Sequence, residues 1–276
     1  MPELPEVEHV ARSLETLVKG RRIVSAKLLR LRLAPGTTPN KFAARLKNAT
    51  INFVHRRGKH ILFDLNNGHT LITHLRMSGR FMLLPADRED PKFTHAVFYF
   101  EDEKRLVFQD QRHFGLMKIV KTEHLGEAKE LKKLAPEPFS DGFTPEYLRL
   151  TLSGSGRSLK EFLLDQTKVC GLGNIYASEA MFRARANPAV VARELSLKKT
   201  NALFEQIRAV LSEAIGHSSG EAPDPENLEG GYFSSNGDAW LVYDREKLPC
   251  PNCKTPISRV KQGGRSTFYC RKCQRR

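Results

Sequence analysis

EVEHVARSLETLVK, residues 6–19, is followed almost at once by sequence of a different texture. Val7, Val10, Ala11, Leu14, Leu17 and Val18 recur at helical spacing and lay one apolar face along the segment. Gly20 stands where such a helix ends. From Arg22 onward the apolar residues come in short alternating runs, and 51–54, 60–65, 70–75, 79–84, 96–100, 105–109 and 115–120 predict strands. Asn67-Gly68 is a hairpin turn between two of them, and EDEK at 101–104 is a charged turn between two others. One helix ahead of a series of strands predicts an N-terminal helix packed on a two-sheet β-sandwich or flattened barrel, which we bound at residues 1–130.

The second half reads differently. Residues 131–145 are polar and proline-bearing and predict a linker. Thr144-Pro145-Glu146 is an N-cap followed by proline at the first helical position. Helices are predicted at about 145–152, 157–166, 174–184 and 197–215, the last with Phe204, Ile207, Val210, Leu211, Ala214 and Ile215 in register. A helical domain therefore spans 146–240, with a mobile loop over 216–245 and a small module at 246–276. The fold class is α+β, with no internal repeat.

The chain carries 45 Lys+Arg against 31 Asp+Glu, a formal charge of +14. That surplus favours a polyanionic partner, most often nucleic acid. The chain starts without the lysines and apolar run of a leader peptide, and no stretch approaches the roughly 20 apolar residues of a membrane span.

Four of the five cysteines form two C-x-x-C pairs, Cys250/Cys253 and Cys270/Cys273, separated by 16 residues. Four thiolates with no open position describe a closed, structural zinc site rather than a catalytic one. The spacing leaves room for a β-hairpin turning at Gly263-Gly264, with Lys261 and Arg265 making its tip basic and suited to backbone phosphates. Cys170 reads as a small buried residue.

MPELPE at 1–6, HLRMSG at 74–79, DQRHFG at 110–115, GLGNIYASE at 171–179 and the four-cysteine module occur in that order. Together they resemble the bacterial formamidopyrimidine-DNA glycosylases, base-excision enzymes for oxidised purines. The resemblance implies an N-terminal catalytic β-sandwich, a helix–two-turn–helix element and a β-hairpin zinc finger. It also implies a bifunctional glycosylase and abasic-site lyase acting by β,δ-elimination. Pro2, exposed once Met1 is removed, would be the nucleophile, and an α-amino group of pKa near about 8 has a usable neutral fraction at pH 7. Glu3 would be the general acid–base, with Glu6 one turn on as its hydrogen-bond support. Acidic residues at a helix start also have a plain reading, as partners of the helix dipole.

By the same resemblance Lys59 contacts the lesion and its flanking phosphate, although a solvated turn lysine is the competing reading of RRGKH. Met77, Arg112 and Phe114 enter the duplex where a nucleotide is flipped out, because extrusion costs stacking that an inserted side chain partly restores. His95, His113, Asn174 and Lys261 join them as DNA contacts, and Arg265 grips the phosphates at the lesion. The implied partner is double-stranded damaged DNA, met by a monomer in the bacterial cytoplasm at the nucleoid. One structural zinc and no organic cofactor are expected.

Two departures stand out. The family pattern has two arginines before the phenylalanine, and here the second is His113. The lesion-capping loop is not recognisable in GHSSGEAPDPENLEGGYF, residues 216–233, so the preferred lesion stays open. A sister enzyme of the endonuclease VIII type, or a damaged-DNA binder without chemistry, are the alternatives. Leu4, where that sister group tends to have glycine, weighs against the first. Pro2, Glu3 and Lys59 together weigh against the second.

Overall fold

The computed structural model describes residues 1–217, 223–228 and 240–276, which fall into two compact units. The first comprises Met1–Lys132 and Ser218–Gly231. It opens with α1, Leu4–Val18, which starts two residues earlier than the apolar periodicity predicts. Pro5 is no obstacle there, since the first turn has no intrahelical use for its missing N–H. Glu6 reaches back to accept from the Glu3 backbone N–H at 2.7 Å, the returning half of a capping box. Val7, Val10, Ala11, Leu14 and Val18 are buried as the helix's apolar face.

Two four-stranded antiparallel sheets follow. One runs β1 (Ile23–Leu28), β6 (Thr94–Phe100), β7 (Lys104–Asp110), β5 (Gly79–Pro85). The other runs β2 (Ile51–Arg57), β3 (His60–Leu65), β4 (His69–His74), β8 (Leu116–Lys121). Their inner faces share one core, in which Phe63 of β3 meets Phe81 of β5 at 5.6 Å and Phe81 meets Phe108 of β7 at 5.1 Å. A short helix α2, Pro39–Leu46, capped by the Thr38 hydroxyl, buries Phe42 and Leu46 into the same core. β5 is an edge strand, and residues 223–228 cover it. Leu228 and Phe81 exchange backbone hydrogen bonds, and Leu83 donates to the Pro225 carbonyl at 2.7 Å. This part of the sequence-predicted mobile loop is thus tied to a sheet; residues 218–222 and 229–239 lie outside the described residues.

The second unit comprises Lys133–His217 and Tyr232–Arg276. Its helices are α3 (Pro145–Ser153), α4 (Leu159–Leu164), α5 (Asn174–Arg183) and α6 (Leu197–His217). The proline-bearing segment ahead of α3 packs onto them: Ala135 donates to Gln166, and buried Phe143 stacks on Phe204 at 5.4 Å. The Thr144 hydroxyl caps α3 by accepting from the Tyr147 N–H. Helix α5 is buried almost all round; it carries the buried Glu179 and meets the buried Lys160 of α4. Lys160 donates to the Asn174 carbonyl and the Ser178 hydroxyl, and Glu179 accepts from the backbone N–H groups of Leu241, Val242 and Tyr243. The module ends in a hairpin of β9 (Ser258–Gln262) and β10 (Arg265–Tyr269), turning at Gly263 and Gly264 with φ of +52° and +76°. Its small core, with Ile257, Phe268 and the cysteines, is completed by Phe182 of α5.

Candidate functional site

In the first unit the chemistry gathers at the start of α1. Pro2, Glu3 and Glu6 are buried, and Lys59 at the β2–β3 turn is only 5% exposed, which a solvated turn lysine would not be. The terminal amine of Met1 feels Glu3, Glu6, Lys59 and Arg112 together. Burial pushes that amine below the usual 8, with Lys59 and Arg112 acting in the same sense and the two carboxylates opposing. An amine in this place is more often neutral at pH 7, hence more nucleophilic, with a buried carboxylate beside it.

Two loops carry the side chains predicted to enter the duplex. Met77 is 45% exposed and Phe114 is 48% exposed, so neither belongs to the core as a lone methionine or phenylalanine usually does. The Arg112 guanidinium lies 5.5 Å from the Phe114 ring centroid. The sequence gives no hint of what fixes the loops, which is Asp110. This fully buried carboxylate accepts from the Ser78 hydroxyl, from the Arg112 N–H at 3.2 Å and from the Gly115 N–H at 2.7 Å. Both loops also end on glycines that abut one ring. A Cβ on Gly79 or Gly115 would lie 2.8 Å from Phe108. Beside them His113 has φ +60° and its Nδ1 lies 2.9 Å from Nε2 of buried His95.

In the second unit Lys261 and Arg265 are exposed on the hairpin. Asn174 stands at the start of α5, but its side-chain amide donates to the Ser266 carbonyl at 2.9 Å, tying that helix to β10. The four sulfurs of Cys250, Cys253, Cys270 and Cys273 lie within 4.8 Å of one another. Tetrahedral Zn–S bonds of about 2.3 Å require this crowding. Without a cation burial and the neighbouring thiols push Cys273 up to about 12, so the cluster resists full ionisation until a metal supplies the charge.

Three family models match in order. The formamidopyrimidine-DNA glycosylase N-terminal domain covers residues 1–117 and the H2TH domain of the same enzymes covers 134–223. The zinc finger found in FPG and IleRS covers 247–276. Formamidopyrimidine-DNA glycosylase of Listeria innocua is 38% identical over all of both chains, and that of Bacillus subtilis is 40% identical over 99% of each. The crystal structure of Lactococcus lactis Fpg in complex with DNA containing N7-benzyl-Fapy-dG aligns over 100% of both chains, with a TM-score of 0.90 at 31% identity. The cysteine cluster and the zinc-finger match together make Cys250, Cys253, Cys270 and Cys273 the ligands of one structural zinc. Agreement in sequence over the full length, in fold and in domain order leads to one conclusion: the chain belongs to the formamidopyrimidine-DNA glycosylase family.

Proposed function

We propose that the Pro2 amine, freed by loss of Met1, is the nucleophile with which this base-excision DNA glycosylase removes oxidised purines of the formamidopyrimidine class. The observation that carries the reading is the burial of Pro2, Glu3, Glu6 and Lys59 at this end of the chain, with the Met1 amine, one residue ahead of Pro2, feeling Glu3, Glu6, Lys59 and Arg112. Attack of the secondary amine on C1′ breaks the glycosidic bond and expels the base, and opening of the C1′–O4′ bond with a proton delivered to O4′ leaves an iminium. The iminium acidifies the C2′ proton, so that elimination cuts the strand. Glu3 moves protons at the sugar oxygen and in the elimination, and the Glu6 bond to the Glu3 backbone fixes where that carboxylate starts. Lys59 holds the lesion and its phosphate. Arg112 donates to the orphaned base, while Phe114 and Met77 fill the stack.

In the second unit Arg265 and Lys261 grip phosphates from the zinc-held hairpin. Asn174 contributes to that grip by holding β10 to α5, a role its bond to Ser266 supports better than a free donor would. His113 contacts the duplex beside Arg112, and His95, which the resemblance makes a DNA contact, is buried behind it and acts through its 2.9 Å contact with the His113 ring. The enzyme works as a monomer on chromosomal DNA in the bacterial cytoplasm; among the described residues no helix is long and apolar enough to cross a membrane.

Excision from duplexes carrying formamidopyrimidine, 8-oxoguanine, thymine glycol or an abasic site tests the lesion class. Formamidopyrimidine is expected to be excised fastest among the bases. Preference for thymine glycol would replace this reading with the endonuclease VIII type.

A further inference from the structure

His95 and His113 make a contact whose chemistry differs from that of an arginine at either place. His95 on β6 is 3% exposed, and its carbonyl accepts from the N–H groups of Leu29 and Arg30 at 2.8 and 3.2 Å, so the residue is fixed. His113, half-buried on the loop after β7, takes a left-handed backbone that histidine tolerates better than most residues. Its N–H lies 3.3 Å from the Asp110 carbonyl. The imidazole planes are 15° apart with centroids at 5.0 Å, and Phe93 meets the His113 ring edge-on at 5.8 Å.

Two ring nitrogens 2.9 Å apart share one hydrogen. In the neutral pair His95 donates to Nδ1 of His113, or the reverse. When His113 gains a proton, its Nδ1–H donates to His95 and its Nε2–H becomes a charged donor. A second proton would set two N–H groups against each other across 2.9 Å, so the contact accommodates one added proton. The charged groups acting on His95 are Asp110 at the end of β7 and Arg30 after β1, and Arg112 precedes His113 on the loop. Burial, with His113 and Arg30 acting in the same sense against Asp110, holds His95 below the usual 6.5. An anion arriving at His113 would retain a proton on the pair.

We propose that the His95–His113 pair is a proton-linked phosphate contact, in which Nε2 of His113 meets a DNA phosphate and the pair takes up one proton on binding. His113 is the contacting residue, and His95 is a positioning residue that fixes which nitrogen of His113 faces outward. The inference rests on the reading that the loop carrying Arg112 and Phe114 engages DNA.

The test is affinity for a duplex with a tetrahydrofuran abasic analogue, which cannot be excised, measured from pH 5.5 to 8.5 at fixed ionic strength. Affinity of the unmodified chain is expected to fall with rising pH by up to about tenfold per unit, the limit for one proton. Calorimetry at pH 6.5 in buffers of different ionisation enthalpy should show net proton uptake. His113→Asn, which accepts the left-handed backbone, should bind with a flat profile at the affinity the unmodified chain shows at high pH. His95→Gln should weaken the pH dependence while leaving zinc content and melting temperature close to those of the unmodified chain. Binding with a flat profile in the unmodified chain, or an unchanged slope in His113→Asn, overturns the proton linkage and leaves the glycosylase reading standing. No binding at any pH by zinc-replete chain overturns both.

Discussion

Asp110 accepts from the Ser78 hydroxyl, and this bond joins the loop that carries Met77 to the loop that carries Arg112 and Phe114. The same carboxylate holds the Gly115 N–H, so one buried charge sets the spacing of three side chains proposed to fill a duplex. In Asp110→Asn one acceptor oxygen becomes a donor facing a donor. Hydrogen bonds to charged groups contribute about 1.5–3 kcal/mol each. The variant should lose about 2–3 kcal/mol in urea denaturation. Excision should fall at least about tenfold, as expected when a misplaced group no longer meets its target. Unchanged excision would mean that the loops are not fixed through Asp110.

Gly115 lies against Phe108, where an added Cβ would approach the ring to 2.8 Å. Gly115→Ala should therefore destabilise the chain by about 1–3 kcal/mol, the usual range for overpacking. Phe108→Leu, although destabilising alone, should make the alanine more tolerable, so a double-mutant cycle should return favourable coupling. Additive effects would show that the clash is relieved some other way.

His60 and His74 are buried with ring centroids 4.7 Å apart. Burial lowers His60 to about 4 and holds His74 well below its usual value. An unfolded imidazole binds its proton near about 6.5, so between that pH and about 4 the unfolded chain holds protons that the folded chain refuses. Stability is thus fully present above about 6.5 and declines as pH falls, with His60 alone contributing up to about 3 kcal/mol. Urea midpoints from pH 8 to 5 check this. His60→Leu should flatten the acid limb, and an unchanged limb would assign it to other groups.

The hairpin module has few apolar residues apart from its cysteines, so the metal supplies much of its stability. Elemental analysis should give one zinc per chain. A chelator strong enough to remove it should abolish hydrogen-exchange protection across β9 and β10 and weaken duplex binding at least about tenfold, the scale of losing one or two phosphate contacts. Protection surviving zinc loss would contradict a metal-held module.

Much of this was legible in the sequence for identifiable physical reasons. The face of α1, the turn at Gly263-Gly264 and the paired cysteines are patterns local in the chain, and local patterns survive without knowledge of the fold. Helix α2 escaped the strand-dominated reading because it has eight residues, although Thr38-Pro39 carried a start signal. Asp110 and Glu179 stood inside quoted motifs but were unreadable as hubs. The Ser78 hydroxyl is 32 residues from Asp110, and the amides held by Glu179 are 62 to 64 residues on. The resemblance makes Asn174 a DNA contact, while its bond to Ser266, 92 residues away, is visible only in the folded chain. The buried state of Lys59 likewise depends on packing around a turn that by composition looks solvated.

The claim that the Pro2 amine performs the chemistry is tested most directly by borohydride trapping on an abasic duplex, followed by proteolysis and mass mapping of the adduct. Chain that has lost Met1 should give one covalent adduct located on Pro2, and chain retaining Met1 should give none at that residue. An adduct mapped to Lys59 or another lysine, or strand cutting with no trapped species, would contradict it.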